Sequence, residues 1–79
     1  MRVQLLVTKT DFSVANIERE FRDLGVGYQV NYLEDHPELI SRHNIRHSPN
    51  ILIDGELVFR HQPTENELKA YFQQMKQRH

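Results

Sequence analysis

"HPELISRHNIRHSPNILIDGELVFR", residues 36–60, carries a helix signal and a hairpin signal side by side. Its second half holds two apolar runs joined at Asp54-Gly55. An Asp-Gly pair suits a type I′ turn, so residues 50–60 are expected to form an antiparallel hairpin. The first half reads as a short helix. Pro37 falls in its first turn, where the missing N–H would have had no partner anyway, and Asp35 or His36 is placed to cap it. Leu39 and Ile40 give this helix an apolar side, and Asn44 is a natural left-handed terminator.

On the N-terminal side, the short apolar run Val3 to Val7 predicts a buried strand. Val14, Ile17, Phe21 and Leu24 recur at helical spacing, with charged residues on the other faces and Gly25 as the stop. Val26, Tyr28, Val30 and Tyr32 then alternate with Gly27, Gln29 and Asn31, the period of a strand with unlike faces. Strand, helix and strand make a βαβ unit, which implies parallel strands and a right-handed crossover. On the C-terminal side, Thr64 and Glu67 have capping-box spacing, with Pro63 and Leu68 at hydrophobic-staple positions. Leu68, Tyr71, Phe72 and Met75 form the stripe of a last helix, and residues 76–79 are expected to fray. The order is βαβαββα, an α/β domain with a four-stranded mixed sheet and three helices.

With 79 residues there is room for one domain, spanning residues 1–79, and not for two. At this size folding buries only about 60–65% of the unfolded chain's surface. Leu, Ile, Val and Phe nonetheless make up 23 residues, enough to separate the sequence from disordered chains. A formal net charge of -1 offers no global attraction to nucleic acid or to an anionic membrane surface. No apolar run approaches the roughly 18–20 residues of a membrane span, and the N-terminus lacks signal-peptide character, so a cytoplasmic protein is the default expectation. The absence of cysteine excludes disulfide staples, thiolate metal sites and thiol chemistry.

The element order, the Pro-Glu-Leu helix running through Ile45-Arg46 to Pro49 and a strand, and the Asp54-Gly55 hairpin together resemble the thioredoxin and glutaredoxin superfamily. The resemblance covers nearly the whole chain and implies a glutaredoxin-size domain. It also implies that Pro49 is a cis-proline and that a Cys-x-x-Cys pair opens the first helix. Counting from the strand end, the two cysteine positions fall on Thr10 and Ser13, so the motif reads Thr-Asp-Phe-Ser. A hydroxyl is not appreciably ionised near neutral pH and forms no disulfide, so dithiol oxidoreduction is ruled out.

Several roles remain open for these residues. Thr10, Ser13 or the Asp11 carboxylate between them can simply accept an open N–H at the helix start. Alternatively Thr10, Asp11, Phe12 and Ser13 form a groove with Ser48, Pro49 and Asn50 that binds a protein or peptide without chemistry. Phe12 is then the candidate contact. A third reading has Ser13 or Thr10 donating to a small thiol such as glutathione, as a hydroxyl does in some glutathione transferases. The Glu-Ser pair those enzymes place after the hairpin is replaced here by His61-Gln62. Arg42, His43, Arg46 and His47, with Arg60 and His61, can form a basic rim favouring acidic or phosphorylated ligands, or else a scattered solvated surface. His43 and His47, four apart, supply too few ligands for a zinc site, and no cofactor is expected. The chain can act as a monomer or as one subunit of a homodimer built on edge strands or the Phe12 face.

Overall fold

The computed structural model describes residues 1–77 and the side chains of residues 1–75. Arg78 and His79, assigned above to a fraying end, lie outside the described residues. In chain order the elements are β1 (Val3–Val7), α1 (Val14–Asp23), β2 (Gln29–Tyr32), a 3-10 turn (Leu33–Asp35), α2 (Pro37–His43), β3 (Asn50–Ile53), β4 (Glu56–Phe59) and α3 (Glu65–Gln77). One mixed sheet has the order β2-β1-β3-β4. β1 and β2 run parallel, and the other two pairings are antiparallel.

Each piece of the stretch 36–60 forms for a local reason. Asp54 and Gly55 have φ of 53° and 84°, the two positive values a type I′ turn demands. β3 is buried along its whole length, because it is a central strand covered on both faces. Ile51 faces Phe59 while Leu52 faces Leu57, which leaves Val58 as the extra residue of a bulge. Asn44 ends α2 in the left-handed conformation, with φ 53° and ψ 46°. His36 occupies the N-cap position of α2 without a side-chain cap bond; its ring pairs with Glu38, while Asp35 pairs with Lys9.

Strand alternation sorts the core into two layers. Val3, Leu5, Val7, Ile51 and Ile53 meet Ile17 and Phe21 of α1 and Leu68 and Phe72 of α3 on one face. Leu6 and Leu52 face the other way, against Leu33, Ile45 and the half-buried Leu39 and Ile40 of α2. An edge-to-face contact of Phe21 with Phe72, centroids 6.4 Å apart, ties α1 to α3. At the start of α3 the capping box is closed in both directions. The Thr64 N–H donates to Glu67 Oε1 at 3.0 Å, and the Glu67 N–H donates to Thr64 Oγ1 at 3.1 Å.

One expectation is shortened. The alternating segment from Val26 forms a strand only from Gln29, because pairing with β1 begins at Gln4 opposite Gln29. Just before β1, Arg2 is held to the hairpin on the other side of the sheet. The Arg2 N–H donates to the Asp54 carboxylate at 2.7 Å, and the Asp54 N–H returns to the Arg2 carbonyl at 2.8 Å. Val26 and Tyr28 still pack on the α1 and α3 layer, and the Tyr28 hydroxyl donates to Glu18 on α1. Among the described residues no helix is long and apolar enough to cross a membrane.

Candidate functional site

The antiparallel pairing of β1 with β3 sets Leu6 opposite Asn50, so the loop leaving β1 meets the loop entering β3 at one end of the sheet. A chain of hydrogen bonds joins them. The Thr8 N–H donates to Ser48 Oγ at 3.1 Å, and the Ser48 hydroxyl donates in turn to Asp11 Oδ2. Asp11 Oδ1 accepts the Ser13 N–H at 2.8 Å and the Ser13 hydroxyl at 2.6 Å. One carboxylate therefore clasps the start of α1 to a residue 37 positions away. Burial pushes the Asp11 carboxyl up. The Ser13 and Ser48 hydroxyls and the Ser13 N–H outweigh that effect and hold it below the usual aspartate value.

This arrangement revises the capping expectation. Ser13 takes the N-cap position of α1, yet its side chain makes no cap bond; its hydroxyl is directed at Asp11 and donates there. Asp11 accepts an N–H as anticipated, but it is that of Ser13, just outside the helix. Thr10 is exposed and stands apart from the clasp. Phe12, between two residues committed inward, is 98% exposed.

On the opposite side, the Ser48–Pro49 peptide is cis and Pro49 is buried. Asn50 is also buried, and its Nδ2 donates to the His47 carbonyl at 2.6 Å. It braces the loop from within and presents no side chain to a groove. Ser48, half-buried, is the member of this trio whose side chain meets the α1 loop.

Sequence reasoning missed a second tether. Both oxygens of Glu34 accept the Lys9 N–H, at 3.0 and 3.2 Å, and the Lys9 ammonium lies 3.3 Å from Asp35. The acidic pair after β2 was visible, but nothing local assigned it a partner 25 positions earlier. The basic residues divide among different local partners. The Arg60 guanidinium reaches the His43 and Asn44 carbonyls at 3.4 Å, where α2 ends, which suits a cation at a helix C-terminus. His61 contacts Glu67 at 3.5 Å and stands edge-on to Phe59. Arg42 is exposed on α2 and His43 half-buried, while exposed Arg46 and His47 adjoin Ser48. The helix ends between His43 and His47, so they share no helical face. Among the described residues no group of three or more His, Asp or Glu side chains is disposed to hold a metal.

Neither a protein-family model nor a curated protein sequence matches the chain. Among solved structures, thioredoxin 1 from the thermophilic eubacterium Thermosipho africanus TCF52B is similar, with a TM-score of 0.69. The match covers 96% of this chain and 99% of that one, at 10% identity. The fold is thioredoxin-like. At that identity the likeness concerns architecture alone. With no cysteine in the sequence, the chain has no sulfur nucleophile of its own for disulfide exchange.

Proposed function

We propose that this thioredoxin-like domain is a non-catalytic protein- or peptide-binding module whose recognition surface is the end of the sheet where residues 10–13 meet Ser48. The observation that carries the reading is Phe12, a phenyl ring left 98% exposed at the centre of that surface. Covering such a ring is worth roughly 1.5–3 kcal/mol, which makes it a natural anchor for a partner. Its neighbours reinforce the point. The Asp11 clasp fixes the backbone on both sides of Phe12, so the ring is displayed from a rigid support and little ordering entropy is lost on binding. By the family resemblance this is also where a Cys-x-x-Cys pair would stand, with Thr10 and Ser13 in its place.

The glutathione-dependent reading takes second place. The Ser13 hydroxyl already gives its proton to Asp11, so only the exposed Thr10 hydroxyl is free to meet a thiol. Capture from cell extract on immobilised wild type and Phe12→Ala, read by mass spectrometry, tests the proposal. Phe12→Ala should unfold at the same denaturant concentration as wild type, since the ring touches little of the fold. A partner retained by wild type and lost with the variant is the expected result; identical capture lists would overturn it. Chemical shift changes confined to Thr10 on adding millimolar glutathione would favour the enzymatic reading. Self-association abolished by Phe12→Ala would make the partner a second copy of the chain.

A further inference from the structure

A cleft of about 790 Å³ opens at the other end of the sheet from the clasp, on the face covered by α1 and α3. It exists because β2 joins the sheet late. β1 pairs with β2 only from Gln4 opposite Gln29, so the chain from Gly25 to Tyr28 runs past Arg2 and Val3 without strand pairing and leaves a gap against α3. Buried Val3 and Phe72 form the floor, and half-buried Leu24, Val26 and Met75 form the walls. Gly25 and Gly27 put no side chain into the gap, and a Cβ at either position would meet no neighbouring atom within 4 Å.

Three exposed charged residues, Arg2, Asp54 and Lys69, stand at the mouth, and two of them are already committed. Asp54 Oδ1 accepts the Arg2 N–H, and the Lys69 ammonium lies 3.2 Å from Glu65. The Arg2 guanidinium has no partner among the described residues. The cleft therefore combines apolar walls with one uncompensated cation. Small-molecule sites commonly have this form, about 300–1,000 Å³ of mainly apolar lining with a few placed polar groups. A guanidinium is a planar fork of donors that matches both oxygens of a carboxylate. We infer that the cleft binds a small amphipathic carboxylate, its aliphatic or aromatic body over Val3 and Phe72 and its carboxylate paired with Arg2. This site lies at the opposite end of the sheet from Phe12 and does not depend on the binding-module reading.

The test is titration of the isotope-labelled protein with octanoate, 1-octanol and octylammonium, which share one apolar chain and differ in charge, followed by amide NMR. Octanoate is expected to shift the amide signals of Val3, Leu24, Gly25 and Gly27, with a Kd of about 1 mM or tighter. Octylammonium should bind on the order of tenfold more weakly, with the difference shrinking at high salt. Arg2→Gln should fold normally, because the bonds that tie Arg2 to Asp54 are made by its backbone. It should weaken octanoate on the order of tenfold and leave octanol unchanged. The charge series on the wild type decides the same point without any substitution. Equal binding of all three ligands, octanoate binding that ignores Arg2→Gln, shifts confined to residues outside the cleft, or no binding at all would each overturn the inference. None of these results bears on capture of a partner through Phe12.

Discussion

Two helices in this chain open on a hydroxyl followed three residues later by a second polar side chain, and they use the pattern differently. At the start of α3, Thr64 and Glu67 satisfy one another's N–H groups within a single turn. At the start of α1, Thr10 takes no part, Ser13 makes no cap bond, and the work falls to Asp11, which reaches Ser48 in another part of the chain. The first arrangement completes a helix. The second joins two loops and leaves an aromatic ring facing solvent. A short-range bond network serves local folding, whereas a long-range one fixes the relative position of two segments, which is what a recognition surface requires.

Phe72 packs edge-on to Phe21 and so links the two helices through the core. Its replacement by Ala should cost about 3–5 kcal/mol in denaturant unfolding, the ceiling against which both helix starts are judged. Asp11→Ala should come next, at about 1–3 kcal/mol, because it strands the Ser13 and Ser48 donors together. That loss should be non-additive with Ser48→Ala and additive with changes at Thr64, a contrast that double-mutant cycles would resolve. Thr64→Ala should cost about 1 kcal/mol, the usual value of an N-cap, with no effect on the Asp11 loop.

The smallest effect has the opposite sign. Glu20 on α1 is held above the usual glutamate range by burial and then by repulsion from Glu65, at the start of α3, and Asp23, with Arg19 offsetting part of this. Its Oε2 finds no hydrogen-bond partner among the described residues. A raised folded-state value means the native state holds the proton more tightly than the unfolded chain. Stability attached to Glu20 therefore falls as pH rises through the glutamate range. Glu20→Gln should stabilise the protein at neutral pH by about 0.5 kcal/mol or less, and the gain should vanish in acid.

The capping box, the Asp54-Gly55 turn and the left-handed Asn44 were all legible in the sequence, because each is set by residues a few positions apart. The strand boundary at Gln29 was not. The alternation begins at Val26, but alternation marks faces and not pairing, and β1 pairs with β2 only from Gln4 opposite Gln29. The same limit applied to the candidate site. Thr10, Asp11, Phe12, Ser13 and Ser48 were picked out by position, yet the roles within the set were unreadable, since Asp11 and Ser48 are 37 residues apart. Pro49 and Asn50 were grouped with them, although burial makes both of them supports and not contacts. Lys9 and Glu34 escaped notice for the same reason of distance in sequence.

The titration of the Asp11 carboxyl reports directly on the clasp. Followed by carbon-detected NMR in wild type and Ser48→Ala, Asp11 in the wild type should titrate below the ordinary aspartate value of about 3.9. The stability it contributes should then be complete above that value and be lost as pH falls through the lower, folded-state one. Removing the Ser48 hydroxyl should move the titration upward while the Ser13 bonds persist. An Asp11 that titrates at its ordinary value in both proteins would contradict the clasp, and with it the rigid display of Phe12.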